Sequence, residues 1–146
     1  MKVAIGNDHA APDLKKWLIE QFDDVEFIDL GTDSGDSVDY ADFSFEVCKR
    51  VISGEAQFGV LICGTGTGMA ISANKVKGIR AAMCFNGMMA EFARRHNNAN
   101  VLTLGARVMG DELSKRVMKI FLETPFDGGR HERRVNKISR IEEENL

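Results

Sequence analysis

The run Phe58-Gly59-Val60-Leu61-Ile62-Cys63 is apolar along its whole length and is followed at once by Gly64-Thr65-Gly66-Thr67-Gly68. Six residues without a polar face read as a buried strand, the clearest in the chain. Similar short runs lie at Lys2-Val3-Ala4-Ile5, Val25 to Leu30, Ile79 to Cys84 and Asn100 to Leu104. Between them the apolar residues take helical spacing. Pro12 fits a first helical turn and Leu14, Trp17, Leu18 and Phe22 follow it. Phe43, Val47 and Val51 share a face within 39–53. Further helices are expected from about Met69 to Lys75, over 87–96 and over 111–122. A turn at 125–130 leads to a basic helix from about His131 to Glu144.

Strand–helix alternation at this period predicts a parallel sheet with helices on both faces. Right-handed crossovers make it doubly wound. The chain has 146 residues, 44% hydrophobic and 28% charged, which suits one core. The expected fold is α/β: a single domain over 1–146 in three layers, Rossmann-like, on a five-stranded parallel sheet. Ligands of such sheets bind beyond the carboxyl ends of the strands. The residues that matter are therefore expected just after strands.

No apolar run reaches the roughly 18 to 20 residues of a membrane span, and Met1 leads into a strand rather than a signal sequence. A cytoplasmic location is expected, with no membrane partner. Three scattered cysteines, Cys48, Cys63 and Cys84, make neither a disulfide framework nor a structural zinc site. The net charge of -3 gives no reason to expect nucleic acid. Its distribution is uneven: residues 1–73 carry five Lys+Arg against thirteen Asp+Glu, residues 74–146 fourteen against nine. Such unlike halves suit a small anionic ligand, or contact between two subunits.

The glycine loop after Cys63 can turn sharply and aim backbone N–H groups at an anion. It is neither G-x-G-x-x-G nor a P-loop, since Met69 follows without Gly-Lys-Ser/Thr. A lone cysteine is commonly just buried. Here the loop amides and the helix start would stabilise a thiolate, which can act as a general base. Asp8 is open to two readings, an N-cap of the first helix or, with His9, a handler of hydroxyl protons. His96 could be a cation on a helix C-terminus or an acid–base group; all three histidines, His9, His96 and His131, fall at expected element ends and none on an apolar face. Arg130, Arg133 and Arg134 at a helix start oppose its dipole unless an anion is present, so a phosphate clamp is expected there. Tyr40 reads as half-buried packing or a sugar contact. Cys48, Cys84 and the methionines, Met88-Met89 included, read as packing.

Four stretches occur together and in order: Asn7-Asp8-His9-Ala10, Cys63 to Gly68, Arg95-His96-Asn97-Asn98-Ala99-Asn100-Val101, and Gly128-Gly129-Arg130-His131-Glu132-Arg133-Arg134. In this the chain closely resembles the type B ribose-5-phosphate isomerases, in the family shared with galactose-6-phosphate isomerase, over nearly its whole length. The resemblance implies an aldose–ketose isomerase that interconverts ribose 5-phosphate and ribulose 5-phosphate through an enediolate. It implies Cys63 as the base that moves a proton between C1 and C2. Thr65 and the amides of Gly64, Gly66, Thr67 and Gly68 would hold the enediolate oxygens. His96 would be the ring-opening acid, with Asp8 handling hydroxyl protons. His9, Arg130 and Arg134 would bind substrate, much of it phosphate, and Asn97 and Arg107 match further binding positions. The family implies no metal and no cofactor, and a homodimer or homotetramer with shared sites, the C-terminal helix lying at the subunit interface. Asp39-Tyr40-Ala41 departs from the family's usual Asp-Tyr-Pro without removing a functional group. The alternatives are an isomerase of a six-carbon sugar phosphate, galactose or allose 6-phosphate, a non-catalytic phosphate-binding module, or a structural oligomer subunit.

Overall fold

The structure is a computed structural model that describes residues 1–144. Five strands, β1 (Lys2–Asn7), β2 (Glu26–Asp29), β3 (Phe58–Cys63), β4 (Ala81–Met83) and β5 (Val101–Gly105), form one parallel sheet in the order β2-β1-β3-β5-β4. Six helices accompany them: α1 (Pro12–Gln21), α2 (Tyr40–Ile52), α3 (Thr67–Ala73), α4 (Gly87–Arg95), α5 (Asp111–Glu123) and α6 (Arg130–Glu144). β3 is buried at every position because it has strands on both edges and helices on both faces.

Two cores lie on opposite faces of the sheet. Leu14, Leu18, Ala90, Ala93, Val117 and Phe121 bring α1, α4 and α5 onto Val3, Ile5, Val60, Ile62, Leu102 and Leu104. Val47, Cys48, Met69 and Ala73 bring α2 and α3 onto Ala4, Leu61 and Val101. α2 comes unusually near the sheet, since side chains at Gly6 and Gly59 would stand 2.8 and 2.7 Å from Val47. The three-layer, doubly wound arrangement is the one expected.

The edge strands are shorter than their apolar runs. β4 is three residues long, not the stretch Ile79 to Cys84, because the Ile79 amide is used in a turn to Val76 and the Arg80 amide donates to the Asn100 side chain. α3 begins two residues earlier than its apolar pattern implies, since Gly66 at φ +88° makes the turn at once. The N-cap reading of Asp8 does not hold. α1 starts after Ala11 without a side-chain cap, and Asp8 Oδ1 accepts from Ala10 N–H at 2.9 Å. Met88-Met89 also departs from packing, as both side chains are exposed on α4.

Lys15 is 1% exposed, an unusual place for an ammonium. It is compensated by Asp33 at 2.8 Å, Asp29 at 3.2 Å and the Thr32 carbonyl at 3.2 Å. The contact holds the Asp33 carboxyl below its ordinary range, first through the hydrogen bond and then through the charge. The acidic loop after β2 is thereby tied down on α1.

Candidate active site

β1 lies between β2 and β3, so the chain leaves β1 in one direction across the sheet and returns in the other. The carboxyl ends of β1 and β3 form the resulting crevice. Asp8 and His9 emerge from β1, and Cys63 closes β3. The Asp8 amide donates to the Ile62 carbonyl at 3.1 Å, which fixes the two exits side by side. His9 Nδ1 accepts from the Val38 amide at 3.2 Å, which leaves Nε2 as the ring's proton carrier and donor.

Cys63 is 5% exposed, and Sγ accepts from the Gly66 amide at 3.2 Å. The loop bends back over its own sulfur, and only glycine takes the left-handed φ of Gly66 without strain. Thr65 is exposed, and its hydroxyl accepts from the Thr67 amide at 3.2 Å. Arg107 lies across Gly64, with its amide on the Gly64 carbonyl at 2.9 Å. The Tyr40 ring lies against Gly68, where a methyl would stand 2.8 Å from it. Tyr40 is 46% exposed with its ring packed on the loop, which agrees with the reading as half-buried packing. Asp8, His9, Tyr40, Cys63 to Gly68 and Arg107 thus share the carboxyl edge. Cys48 and Cys84 are different thiols: burial pushes them up to about 11 and about 12.

His96, Asn97, Arg130 and Arg134 lie elsewhere. α4 runs back along the sheet, and His96 closes it at the edge where β5 begins. Arg80, just before β4, donates to the carbonyls of Asn97 and Asn98 at 3.1 and 2.8 Å. Gly59 pairs with Val101 and Cys63 with Gly105, so at about 3.3 Å per residue the two edges stand roughly 13 Å apart along the strands. The fold of one chain therefore does not unite Cys63 with His96. The expectation that all the residues that matter follow strands holds for the first group and fails for the second, because His96 sits between a helix and a strand start.

At this amino edge, His96, Asn97, His131, Arg134, Val135 and Ile138 line a cavity of about 260 Å³. Arg133 points to a different face of α6, in a groove with Lys137 and Arg140, so it drops out of the expected clamp. His131 is 9% exposed and with Val135 forms the buried face of α6, contrary to the reading that no histidine lies on an apolar face. Its ring stacks on His96 at 4.2 Å and 11°, and His96 stacks on Phe92 at 4.7 Å and 20°. Stacked aromatic pairs add about 0.5–1.5 kcal/mol each beyond area burial. The nitrogens of both histidines and a carboxylate oxygen of Asp127 lie within 4.8 Å of one another. Nearly parallel rings aim their in-plane lone pairs along separate planes, so this stack does not direct both at a single ion.

Several residues that shape the site escaped the sequence reading. Arg94, mostly buried, donates to the Ala99 carbonyl, the Asn98 side chain and the Thr124 carbonyl. With Arg80 it grips the turn after His96, where Asn98 adopts φ +46°. The Asn-Asn pair after Arg-Arg was the available signal, since asparagine tolerates the left-handed region. Asn7 donates to the carbonyls of Asp8 and Thr32. No spacing rule would have found Phe92 or Val38.

Residues 3–138 match the model of the family described as Ribose/Galactose Isomerase. The chain is 50% identical to the putative sugar phosphate isomerase YwlF of Bacillus subtilis over the full length of both. It is 42% identical to ribose-5-phosphate isomerase B of Escherichia coli over 97% of each chain. The solved ribose-5-phosphate isomerase B of Clostridium thermocellum superposes with a TM-score of 0.97 at 47% identity, all of both chains covered. With its motifs, its sheet order and these relatives in agreement, this chain belongs to the ribose/galactose isomerase family.

Proposed function

We propose that this protein interconverts ribose 5-phosphate and ribulose 5-phosphate, and that each active site is completed by a second copy of the chain. The observation that carries the second part is the separation of Cys63 from His96 by the length of the sheet. An aldose in furanose form needs an acid at its ring oxygen and a base at C2 in one site. A single chain holds these at opposite edges. In a two-fold dimer the carboxyl edge of one subunit meets the amino edge of the other, and the reverse contact makes the second site. Charge supports this pairing, since the acidic half contributes the loop around Asp33, Asp36 and Asp39 and the basic half contributes α6. α6 also carries Ile138 and Ile141 exposed, and only His131 and Val135 of it are buried in the lone chain. Apolar side chains on such a helix mark a protein contact.

In this reading His96 gives a proton to the ring oxygen as the C1–O4 bond breaks, while the O1 hydroxyl gives its proton to Asp8 and C1 becomes the aldehyde carbonyl. The Cys63 thiolate takes the proton from C2, and the electron pair forms the C1–C2 double bond as negative charge moves to O1. Thr65 and the amides of the 64–68 loop stabilise that oxyanion. The thiol returns the proton to C1 while the O2 proton passes by way of Asp8 to O1, leaving the ketone at C2 and a hydroxyl at C1. Arg130 and Arg134, one helical turn apart, bind the phosphate with His9, Asn97 and Arg107. The reaction balances without a metal or an organic cofactor.

Co-expression of Cys63→Ala with His96→Ala tests the sharing. Each variant alone is inactive in net conversion. In mixed dimers one of the two sites has both groups intact, so random pairing restores about a quarter of the wild-type activity. A mixture as inactive as its parents overturns the shared site. A six-carbon sugar phosphate is the second reading, favoured by the breadth of the family's description. Ribose 5-phosphate and galactose or allose 6-phosphate assayed side by side decide it, with kcat/KM higher for ribose 5-phosphate expected.

A further inference from the structure

We propose that His131 is a positioning residue for His96, its ring and that of Phe92 forming the two walls that fix the plane in which His96 meets the sugar ring. The inference rests on the reading of His96 as the ring-opening acid. The three rings form one column, with His96 in the middle. A middle ring held on both faces can slide only in its own plane, so its nitrogens keep a fixed direction. The outer wall is itself anchored. The His131 amide donates to the Gly128 carbonyl at 3.1 Å, and the Asp127 amide to the Arg95 carbonyl at 3.0 Å, next to His96 in sequence. The Asp127 carboxylate also pairs with Arg95 at 3.1 Å. The turn that precedes α6 is therefore fastened to the end of α4, and the two histidines cannot drift apart independently.

Charged groups from three elements face the pair. Arg130 and Arg134 on α6, Arg95 and Glu91 on α4, and Asp127 on the turn face this cluster. His131 is held below its ordinary value by burial first, then by His96, Arg130 and Arg134, with Asp127 opposing. A stack of two imidazoles favours a neutral ring at the His131 position. Two imidazolium rings in contact would repel. His131 is then an uncharged platform, and a phenyl ring should replace it.

Ribulose 5-phosphate provides the discriminating control. With its carbonyl at C2 and its O5 phosphorylated, it has no hydroxyl that can close a five-membered ring. Exchange of its C1 hydrogen with deuterated water needs the Cys63 base but not ring opening. Net conversion of ribose 5-phosphate needs both. For His131→Ala, net conversion is expected to fall about ten- to hundredfold, the scale of a catalytic group displaced by about 1 Å. C1 exchange should stay within about threefold of wild type. His131→Phe should recover net conversion to within about fivefold. The His96 ring-proton resonances should move downfield in His131→Ala and stay near their native positions in His131→Phe. That reading does not depend on activity, and His131→Asn gives the same comparison if the alanine variant does not fold. Equal loss in both assays, or a phenylalanine variant as impaired as the alanine one, overturns the proposal. If His96→Ala lowers net conversion and His131→Ala does not, the positioning role alone fails. If His96→Ala converts ribose 5-phosphate at the wild-type rate, the acid assignment falls and the proposal with it.

Discussion

The two edges of the sheet are built on different principles. At the carboxyl edge the working groups sit on a backbone that one chain fully determines. Cys63 is the last residue of the central strand, and the Gly66 amide returns to its sulfur. At the amino edge His96 depends on a stack of rings, on a turn gripped by Arg80 and Arg94, and on a helix that the rest of its own chain hardly buries. The first can be rigid before any partner arrives. The second takes its rigidity from side chains and, in the proposed dimer, from assembly. The proposed base sits on a fixed strand end, whereas the proposed ring-opening acid takes its direction from a ring on α6.

The largest effect expected from that contrast falls on the carboxyl edge. Cys63→Ala should lower kcat by about 10²–10⁴-fold, the range for a lost acid–base group, with thermal melting and sugar-phosphate binding by calorimetry nearly unchanged. Normal turnover by this variant would remove the base and blur the distinction between the edges. Arg134→Ala should be next, weakening the grip on phosphate and raising KM about tenfold or more, with some loss of kcat because remote binding energy holds the reacting carbons. Steady-state kinetics separates the two. Alkylation by iodoacetamide should then modify one cysteine and inactivate the enzyme, with ribose 5-phosphate protecting. Cys48 and Cys84 stay protonated because burial raises them to about 11 and about 12. Peptide mass mapping that finds either of them labelled before Cys63 would contradict this.

The smallest effect concerns His131. Its folded value lies below the ordinary 6.5, so the unfolded chain binds its proton more readily. Its contribution to stability is therefore fully present above pH 6.5 and is lost as pH falls through the lower folded value. Denaturant midpoints should drop as pH falls below 6.5, and the slope should be shallower in His131→Phe. An identical slope in both proteins would assign the acid sensitivity elsewhere.

The carboxyl edge was legible in the sequence because strand ends are legible. An unbroken apolar run, a cysteine and a glycine loop announce both the strand and the sharp turn beyond it, and the loop then folds where local chemistry says it should. Asp8 was legible as a position, but its N-cap reading failed, since its carboxylate caps the Ala10 turn rather than a helix. The amino edge was legible only as a resemblance of motifs. Arg133 and Arg134 are adjacent in sequence, yet helical rotation puts only Arg134 at the cavity. His131 looked like part of a charge run, and its burial comes from a ring contact with a residue 35 positions away.

The amino-acid sequence by itself determined the alternation of strands and helices, the burial of β3 and the tight loop after it. These follow from local periodicity and from the few residues that accept unusual backbone angles. Tertiary structure alone decided the strand order that opens the crevice beside β1, the burial of Lys15 against Asp33, and the distance between Cys63 and His96. Those depend on where distant segments meet, and a pattern along one chain carries no measure of separation in space.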